Sequence, residues 1–176
     1  MLRFVAFLLC AAAAFADIMP MTGFNLDEIK GKWYLIGFAT NANWFVNHKS
    51  SMKMGRAMLE PTASGDLDMT YTNLKEDGTC WKMTHLAKKT DIPGQFVFYS
   101  QRWGNSNDMR VVDLKSDEFA IVHTIKTKDG VSEVLNKLYG RSPDLSGELI
   151  KRFQKFSLDT GVNPDNIAIL PPNGEC

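Results

Sequence analysis

The stretch GKWYLIGFA at residues 31–39 decides the fold, because large apolar side chains occupy both of its alternating positions. In an extended strand Trp33 and Leu35 point to one face, while Tyr34 and Ile36 point to the other. A strand that is apolar on both faces needs a cover on each side. The interior of a barrel would cover one face, and an amphipathic helix on the outer wall would cover the other.

The chain from Gly31 to Arg141 consists of short runs rich in β-branched and aromatic residues, separated by clusters of Gly, Asp, Asn and Pro. This pattern is typical of an all-β sandwich or barrel. We predict eight strands, at residues 31–41, 52–61, 66–74, 78–87, 94–102, 107–114, 118–127 and 133–141. The short connections between them favour an antiparallel up-and-down β-barrel.

A helix is predicted after the last strand, since Leu145, Leu149, Phe153 and Phe156 recur at helical spacing. The segment 142–144, Ser-Pro-Asp, is a plausible helix start. The apolar stripe of this C-terminal α-helix must be buried, so we expect it to pack on the outer wall of the barrel.

The first sixteen residues predict a cleavable secretory signal, with Arg3 before an apolar run and small residues at Ala14 and Ala16. The expected layout is a signal peptide at 1–16 and one domain at 17–176, secreted to the extracellular space. Arg3 is the only charged residue of the signal, which leaves 19 basic residues against 20 acidic ones. This balance argues against nucleic-acid and anionic-membrane partners, and no later apolar run approaches the roughly 20 residues of a membrane span.

Cys80 and Cys176 remain after removal of the signal, and a pair of cysteines in an exported chain favours a disulfide over a metal site or a nucleophile. The histidines, His48, His85 and His123, lie apart without metal-ligand spacing. We therefore expect no metal and no cofactor.

Gly31-Lys32-Trp33 at the start of the first strand, with Arg141 at the end of the last, resembles the lipocalin family. In that family the Trp of a Gly-x-Trp motif lies across the closed end of the barrel, and an Arg from the last strand stacks on it. The resemblance gives these structural roles to Gly31, Trp33 and Arg141.

Within the family the chain is most similar to the group of lipocalin-type prostaglandin D synthases and their non-enzymatic relatives. The similarity rests on Trp44, Lys49, Met54, Arg102-Trp103-Gly104 and the C-terminal Ile169-Leu170-Pro171-Pro172. The enzyme of that group attacks an endoperoxide with a pocket cysteine. The matching position here is Gly55, which supplies no nucleophile, so the resemblance implies that no catalytic residue is present.

An eight-stranded barrel either fills its interior with side chains or holds one small ligand. The strand parity and the resemblance together predict an inner face whose small residues leave room for a ligand, and a mouth of aromatic and cationic residues. The inner face comprises Leu35, Gly37, Gly55, Ala57, Leu59, Met69, Tyr71, Phe96, Phe98, Met109, Leu135 and Tyr139, and the mouth comprises Trp44, Lys49, Met54, Arg102 and Trp103. A fully packed interior is the alternative.

The predicted function is that of a secreted, monomeric carrier of a small hydrophobic ligand: a retinoid, fatty acid, bile pigment or thyroid-hormone-like molecule. A cell-surface receptor is a further partner to consider. Three alternatives stay open: a prostaglandin-H2 D-isomerase, disfavoured by Gly55; a sealed barrel that binds partners through its loops; and a siderophore-binding defence protein. The last would need Lys53, Lys82 or Arg110 to point inward, because the predicted inner face has no cation.

Overall fold

The computed structural model describes residues 17–176, so the predicted signal peptide lies outside the described residues. The strands are β1 (Gly31–Ala39), β2 (Gly55–Pro61), β3 (Leu67–Leu74), β4 (Cys80–Lys89), β5 (Gln95–Ser100), β6 (Asn105–Lys115), β7 (Phe119–Lys128), β8 (Val131–Gly140) and β9 (Ile167–Ile169). The helices are α1 (Asn43–Val46) and α2 (Gly147–Asp159), with 3-10 turns at Leu26–Ile29, Lys49–Ser51 and Pro164–Asn166. None of the described helices is long and apolar enough to cross a membrane.

Strands β1 to β8 form a closed antiparallel barrel, which confirms the predicted fold class. Each strand pairs with the next along the chain, and β1 closes the barrel by pairing with both β8 and β2. The short strand β9 was not predicted. It pairs antiparallel with the C-terminal part of β1, beyond the residues that pair with β2, and Gly37 pairs there with Ile169.

One end of the barrel is closed by Trp33, which is fully buried and donates its indole N–H to the carbonyl of Ile29 at 2.7 Å. The guanidinium of Arg141 lies 3.6 Å from the centre of the Trp33 ring. It also donates to four backbone carbonyls, those of Glu28, Lys30, Lys32 and Ser116. Gly31 has a φ of +100°, and a Cβ there would lie 3.3 Å from an Arg141 nitrogen, so glycine permits this close approach.

Helix α2 packs on the outer wall against β1, as predicted, with Leu149 and Phe153 buried. It begins at Gly147, later than the predicted start, because the hydroxyl of Ser146 accepts from the Leu149 N–H and caps the first turn. Ser157 and Thr160 accept hydrogen bonds from the buried Asn136 amide of β8, which fixes the end of the helix on the barrel.

The C-terminal tail is fastened to the barrel by the predicted disulfide between Cys80 and Cys176, whose Cα atoms are 5.7 Å apart. Between β9 and this bridge the tail makes backbone and side-chain bonds to the barrel. The Leu170 N–H donates to Ile36, and the Asn173 amide donates to Leu74. The tail therefore covers the outer surface of β1 to β3 instead of extending into solvent.

Candidate ligand-binding site

The part of the barrel interior next to Trp33 is filled by apolar side chains. Of the predicted inner-face residues, Leu35, Ala57, Leu59, Met69 and Phe96 lie here, in one cluster with Trp33. Ala57 is fully buried, so it leaves no space of its own. The expectation of a fully packed interior therefore holds for this half.

A cavity of about 70 Å³ lies above this packed layer. Six of the residues predicted for the inner face or mouth line it: Tyr71, Phe98, Trp103, Met109, Leu135 and Tyr139. Eight further residues, not predicted from the sequence, complete the lining: Met83, His85, Ser100, Asn107, Val122, Thr124, Lys126 and Lys137. Most of them could have been found by extending the inward parity of each strand, since Lys137 stands between Leu135 and Tyr139 on β8.

The prediction that Gly37 faces the interior is wrong. The register of β1 against β8 shifts between Leu35 and Gly37, and this bulge reverses which residues point inward. A Cβ on Gly37 would lie 2.6 Å from Phe153 of α2, so the glycine provides room for the helix and not for a ligand. Phe38 points inward in its place, with its ring 5.9 Å from the Lys137 ammonium.

Gly55 does not open the interior as expected. It pairs with Leu35 and is buried, but a Cβ would lie 3.0 Å from the Thr72 carbonyl and 3.1 Å from the Asn73 amide. Asn73 is held there by a hydrogen bond to the Lys53 carbonyl. The space that a longer side chain would need at this position is thus taken by β3.

Two residues predicted for the mouth lie elsewhere. Lys49 donates to the Asp165 carbonyl and to the Asn166 side chain, which ties the loop after α1 to the segment before β9. Met54 is buried outside the barrel interior, in the apolar cluster that includes Leu149 and Phe153 of α2. Its backbone N–H donates to the Pro171 carbonyl. Neither side chain lines the cavity, because both connect the β1–β2 loop to the C-terminal tail.

Aromatic side chains do gather at the open end of the barrel. Trp103 is half-exposed above the cavity, and the guanidinium of Arg102 lies 5.2 Å from its ring centre and 5.6 Å from that of Trp81. Trp44 of α1 packs edge-on against Phe38 at a centroid distance of 5.8 Å. These residues form a lid over the cavity.

Two lysines line the cavity, and neither forms an ion pair with a carboxylate of residues 17–176. Lys126 of β7 lies 5.8 Å from the Trp44 ring, and Lys137 of β8 lies 4.7 Å from the Tyr71 ring. Burial and the like charge of Lys126 lower the pKa of Lys137 to about 7. Burial also lowers the pKa of Lys126, against a weaker opposing effect of Glu133.

Neutral groups surround the two lysines. Burial raises the pKa of Tyr71 to about 12, and burial with the neighbouring Tyr71 raises the pKa of Tyr139 well above its ordinary value, so both phenols keep their protons at neutral pH. Burial, together with the charges of Lys137 and Lys126, lowers the pKa of His85. The cavity is thus apolar and electropositive, and an incoming anion would relieve the mutual repulsion of the lysines.

The three cations considered from the sequence for a siderophore site do not line the cavity. Arg110 forms ion pairs with Asp17 and Asp108, and Lys53 and Lys82 are exposed. Within the described part of the chain there is no group of three His, Cys, Asp or Glu side chains that could hold a metal ion. The chemistry of the cavity therefore rests on the ammonium groups of Lys126 and Lys137.

Comparisons with known proteins agree with this architecture. The model of the lipocalin / cytosolic fatty-acid binding protein family matches residues 30–174. A lipocalin of Rhinella marina is 40% identical over 99% of this chain and 95% of its own length. A prostaglandin-H2 D-isomerase of Felis catus is 30% identical over 92% of this chain and 84% of its own. Protein AMBP of Mus musculus is 31% identical over 94% of this chain, which spans only 48% of that protein.

Among solved structures, one described as "The Siderocalin Ex-FABP functions through dual ligand specificities" superposes with a TM-score of 0.73 at 28% identity. The match covers 85% of this chain and 97% of that one. Lipocalins generally bind small hydrophobic ligands, and they are generally secreted proteins. On the family match, the identities and the shared barrel, the chain belongs to the lipocalin family.

Proposed function

We propose that this protein is a secreted carrier that binds and transports a small hydrophobic molecule with an acidic group in the barrel cavity. The observation that carries the proposal is the unpaired Lys126 and Lys137 in an otherwise apolar interior. Two half-buried ammonium groups of like charge without counter-ions destabilise each other, and a ligand carboxylate would supply the missing partner. The acidic end of the ligand then lies inside the barrel and not at its mouth.

The lining suits a molecule with an extended apolar body. Met83 and Met109 provide adaptable apolar surface, and Tyr71, Phe98 and Tyr139 provide flat aromatic surface. Retinoic acid, fatty acids, bile pigments and thyroid-hormone-like molecules all combine such a body with an acid. They form the ligand panel that the proposal predicts.

Binding requires the lid to move. A pocket for a molecule of this size usually encloses at least about 300 Å³. The cavity has about 70 Å³ in this closed conformation, so the side chains at the open end must separate when a ligand enters. Trp103 and Arg102 lie on the short, exposed β5–β6 connection, away from the packed layer below.

The test is a titration of the secreted protein with the ligand panel, beginning with retinoic acid, while tryptophan fluorescence is recorded. Trp103 lines the cavity and Trp44 lies beside it, so a bound chromophore will quench their emission in a saturable way. Absence of saturable quenching by every member of the panel would refute the carrier function.

A siderophore-binding function is a second candidate, and the structure favours it more than the sequence did. The sequence analysis predicted no inward cation, whereas Lys126 and Lys137 both line the cavity. Two cations in a cup attract a ferric catecholate complex as well as a carboxylate. Gel filtration of the protein with a ferric tricatecholate would decide: co-elution of the iron colour with protein supports this candidate, and colour only in the small-molecule fractions excludes it.

The prostaglandin-H2 D-isomerase alternative finds no free cysteine in residues 17–176, since Cys80 and Cys176 are bonded to each other. By resemblance, Gly55 stands where that enzyme has its cysteine. An assay on prostaglandin H2 with a thiol cofactor tests this conclusion directly. Turnover that depends on a residue of the cavity would contradict it.

A further inference from the structure

The barrel wall has a weak seam between β4 and β5. Ladder pairing across this seam is limited to Lys88 with Val97 and Lys89 with Phe96, whereas β5 pairs with β6 along its whole length. Residues 98–100 of β5 and the facing part of β4 thus separate towards the open end. The two strands are held together at one end only, so the wall can open there at little cost in backbone hydrogen bonds.

A groove of about 490 Å³ runs along the outer wall at this seam. It is lined by Leu86, Lys88, Val97, Phe98, Tyr99, Ser106, Asn107, Asp108, Ile125 and Thr127. Leu86, Val97 and Tyr99 are 45%, 41% and 59% exposed, at outward positions where a strand next to water usually carries polar side chains. Of the two charged residues, Asp108 is paired with Arg110, so the floor of the groove is mainly apolar.

The groove and the cavity lie on opposite sides of the same stretch of barrel wall. Phe98 and Asn107 point inward and line the cavity, yet both also line the groove. The rings of His85 and Phe98 meet across the seam at a centroid distance of 4.8 Å, so this pair forms part of the wall between the two spaces. Buried polar atoms flank it, because His85 Nδ1 and Ser100 Oγ have no hydrogen-bond partner among the described residues.

We infer that the β4–β5 seam is a side portal, through which the apolar tail of a long-chain amphiphilic acid leaves the cavity and lies in the outer groove. This inference rests on the proposed function, because the acidic head is held by Lys126 and Lys137. The cavity, at about 70 Å³, is far smaller than the roughly 300 Å³ at which ligand pockets usually begin. A long chain anchored at the lysines needs more space than the closed cavity offers, and the groove is an adjoining, mainly apolar space large enough to hold its tail.

A chain-length series tests the portal. We expect the affinity for straight-chain carboxylic acids to rise from octanoate to hexadecanoate, by about fourfold for each buried methylene at first. The variant Leu86→Ser/Val97→Ser is expected to bind hexadecanoate at least tenfold more weakly and octanoate less than twofold more weakly. Leu158→Ser removes a similarly exposed leucine from α2, away from the groove, and should change neither affinity.

Photo-crosslinking locates the tail independently of affinity. A hexadecanoic acid with a diazirine at its ω-end should label Val97 or Tyr99, as read by fragmentation of the tryptic peptide 90–102. Labelling confined to Trp103 or to the Trp44 loop would place the tail at the barrel mouth and overturn the portal. The portal would also be overturned if Leu86→Ser/Val97→Ser lost affinity for octanoate and hexadecanoate by the same factor. If neither octanoate nor hexadecanoate binds the wild-type protein, the portal and the proposed acid carrier both fail.

Discussion

Replacement of Lys137 by methionine should change how the stability of the ligand-free protein depends on pH. Burial lowers the pKa of Lys137 from 10.5 to about 7, so the unfolded chain binds more protons than the folded one between these two values. The free energy of unfolding of the wild type therefore rises with pH across this window. At and below pH 7 the charged lysine lowers the free energy of unfolding. Methionine removes this destabilisation and keeps a side chain of similar length.

The magnitude follows from the size of the pKa change. At ~1.4 kcal/mol for each pKa unit, linkage gives a ceiling of about 3 kcal/mol between pH 6.5 and 9.5. Lys137 is half-buried, and water near its ammonium group reduces this to roughly 1.5 kcal/mol. Methionine should thus stabilise the protein by about 1.5 kcal/mol more at pH 6.5 than at pH 9.5.

Urea denaturation of the wild type and Lys137→Met at the two pH values measures this double difference. Lys151→Met, which changes an exposed lysine of α2, is the matched control and should show no such dependence. If Lys137→Met and the wild type differ by the same free energy of unfolding at both pH values, Lys137 is not a buried cation and the electrostatic basis of the site is refuted.

Three further substitutions test the positions where the structure departs from or refines the sequence analysis. Gly37→Val should lower the free energy of unfolding by about 1 to 3 kcal/mol in urea, because its Cβ would lie 2.6 Å from Phe153; an unchanged midpoint would mean that Gly37 does not face α2. Gly55→Cys should give no turnover of prostaglandin H2, since Asn73 and the Thr72 carbonyl occupy the adjoining space, and measurable product would contradict this view. Arg141→Ala removes the ring contact with Trp33 and four backbone hydrogen bonds, so we expect a loss of about 2 to 4 kcal/mol in thermal or urea unfolding, and a loss below 1 kcal/mol would show that Arg141 is not needed to close the barrel.

The fold could be predicted because its signals are local and repeat along the chain. The alternation of apolar and polar residues, together with the turn residues, located the strands. The strand around Trp33 is apolar on both faces, so it required a barrel interior on one side and a helix on the other. The family resemblance then supplied the pairing of Trp33 with Arg141. The strand β9 was missed because Ile167–Ile169 is too short to show a period and forms only through pairing with β1.

The site was harder to predict, because it depends on register and on contacts between distant segments. The bulge after Leu35 reverses parity in one strand without any mark in the sequence, which is why Gly37 was assigned to the wrong face. Lys49 was assigned to the mouth from its loop position, but its partners lie more than a hundred residues later, at Asp165 and Asn166. Lys126 and Lys137 were passed over because charged residues on a strand usually face water.

We expect the two cavity lysines to select an acid over a neutral ligand of the same shape. Retinoic acid and retinol share a body and differ at the head group, so their affinities for the wild type and for Lys126→Met/Lys137→Met test it most directly. At pH 6.5 the wild type should bind the acid about 10 to 100 times more tightly than the alcohol, as a charge-assisted hydrogen bond of about 1.5 to 3 kcal/mol implies, and the double variant should lose this preference. Equal affinity of the wild type for both molecules, or a preference that survives in the double variant, would contradict the account.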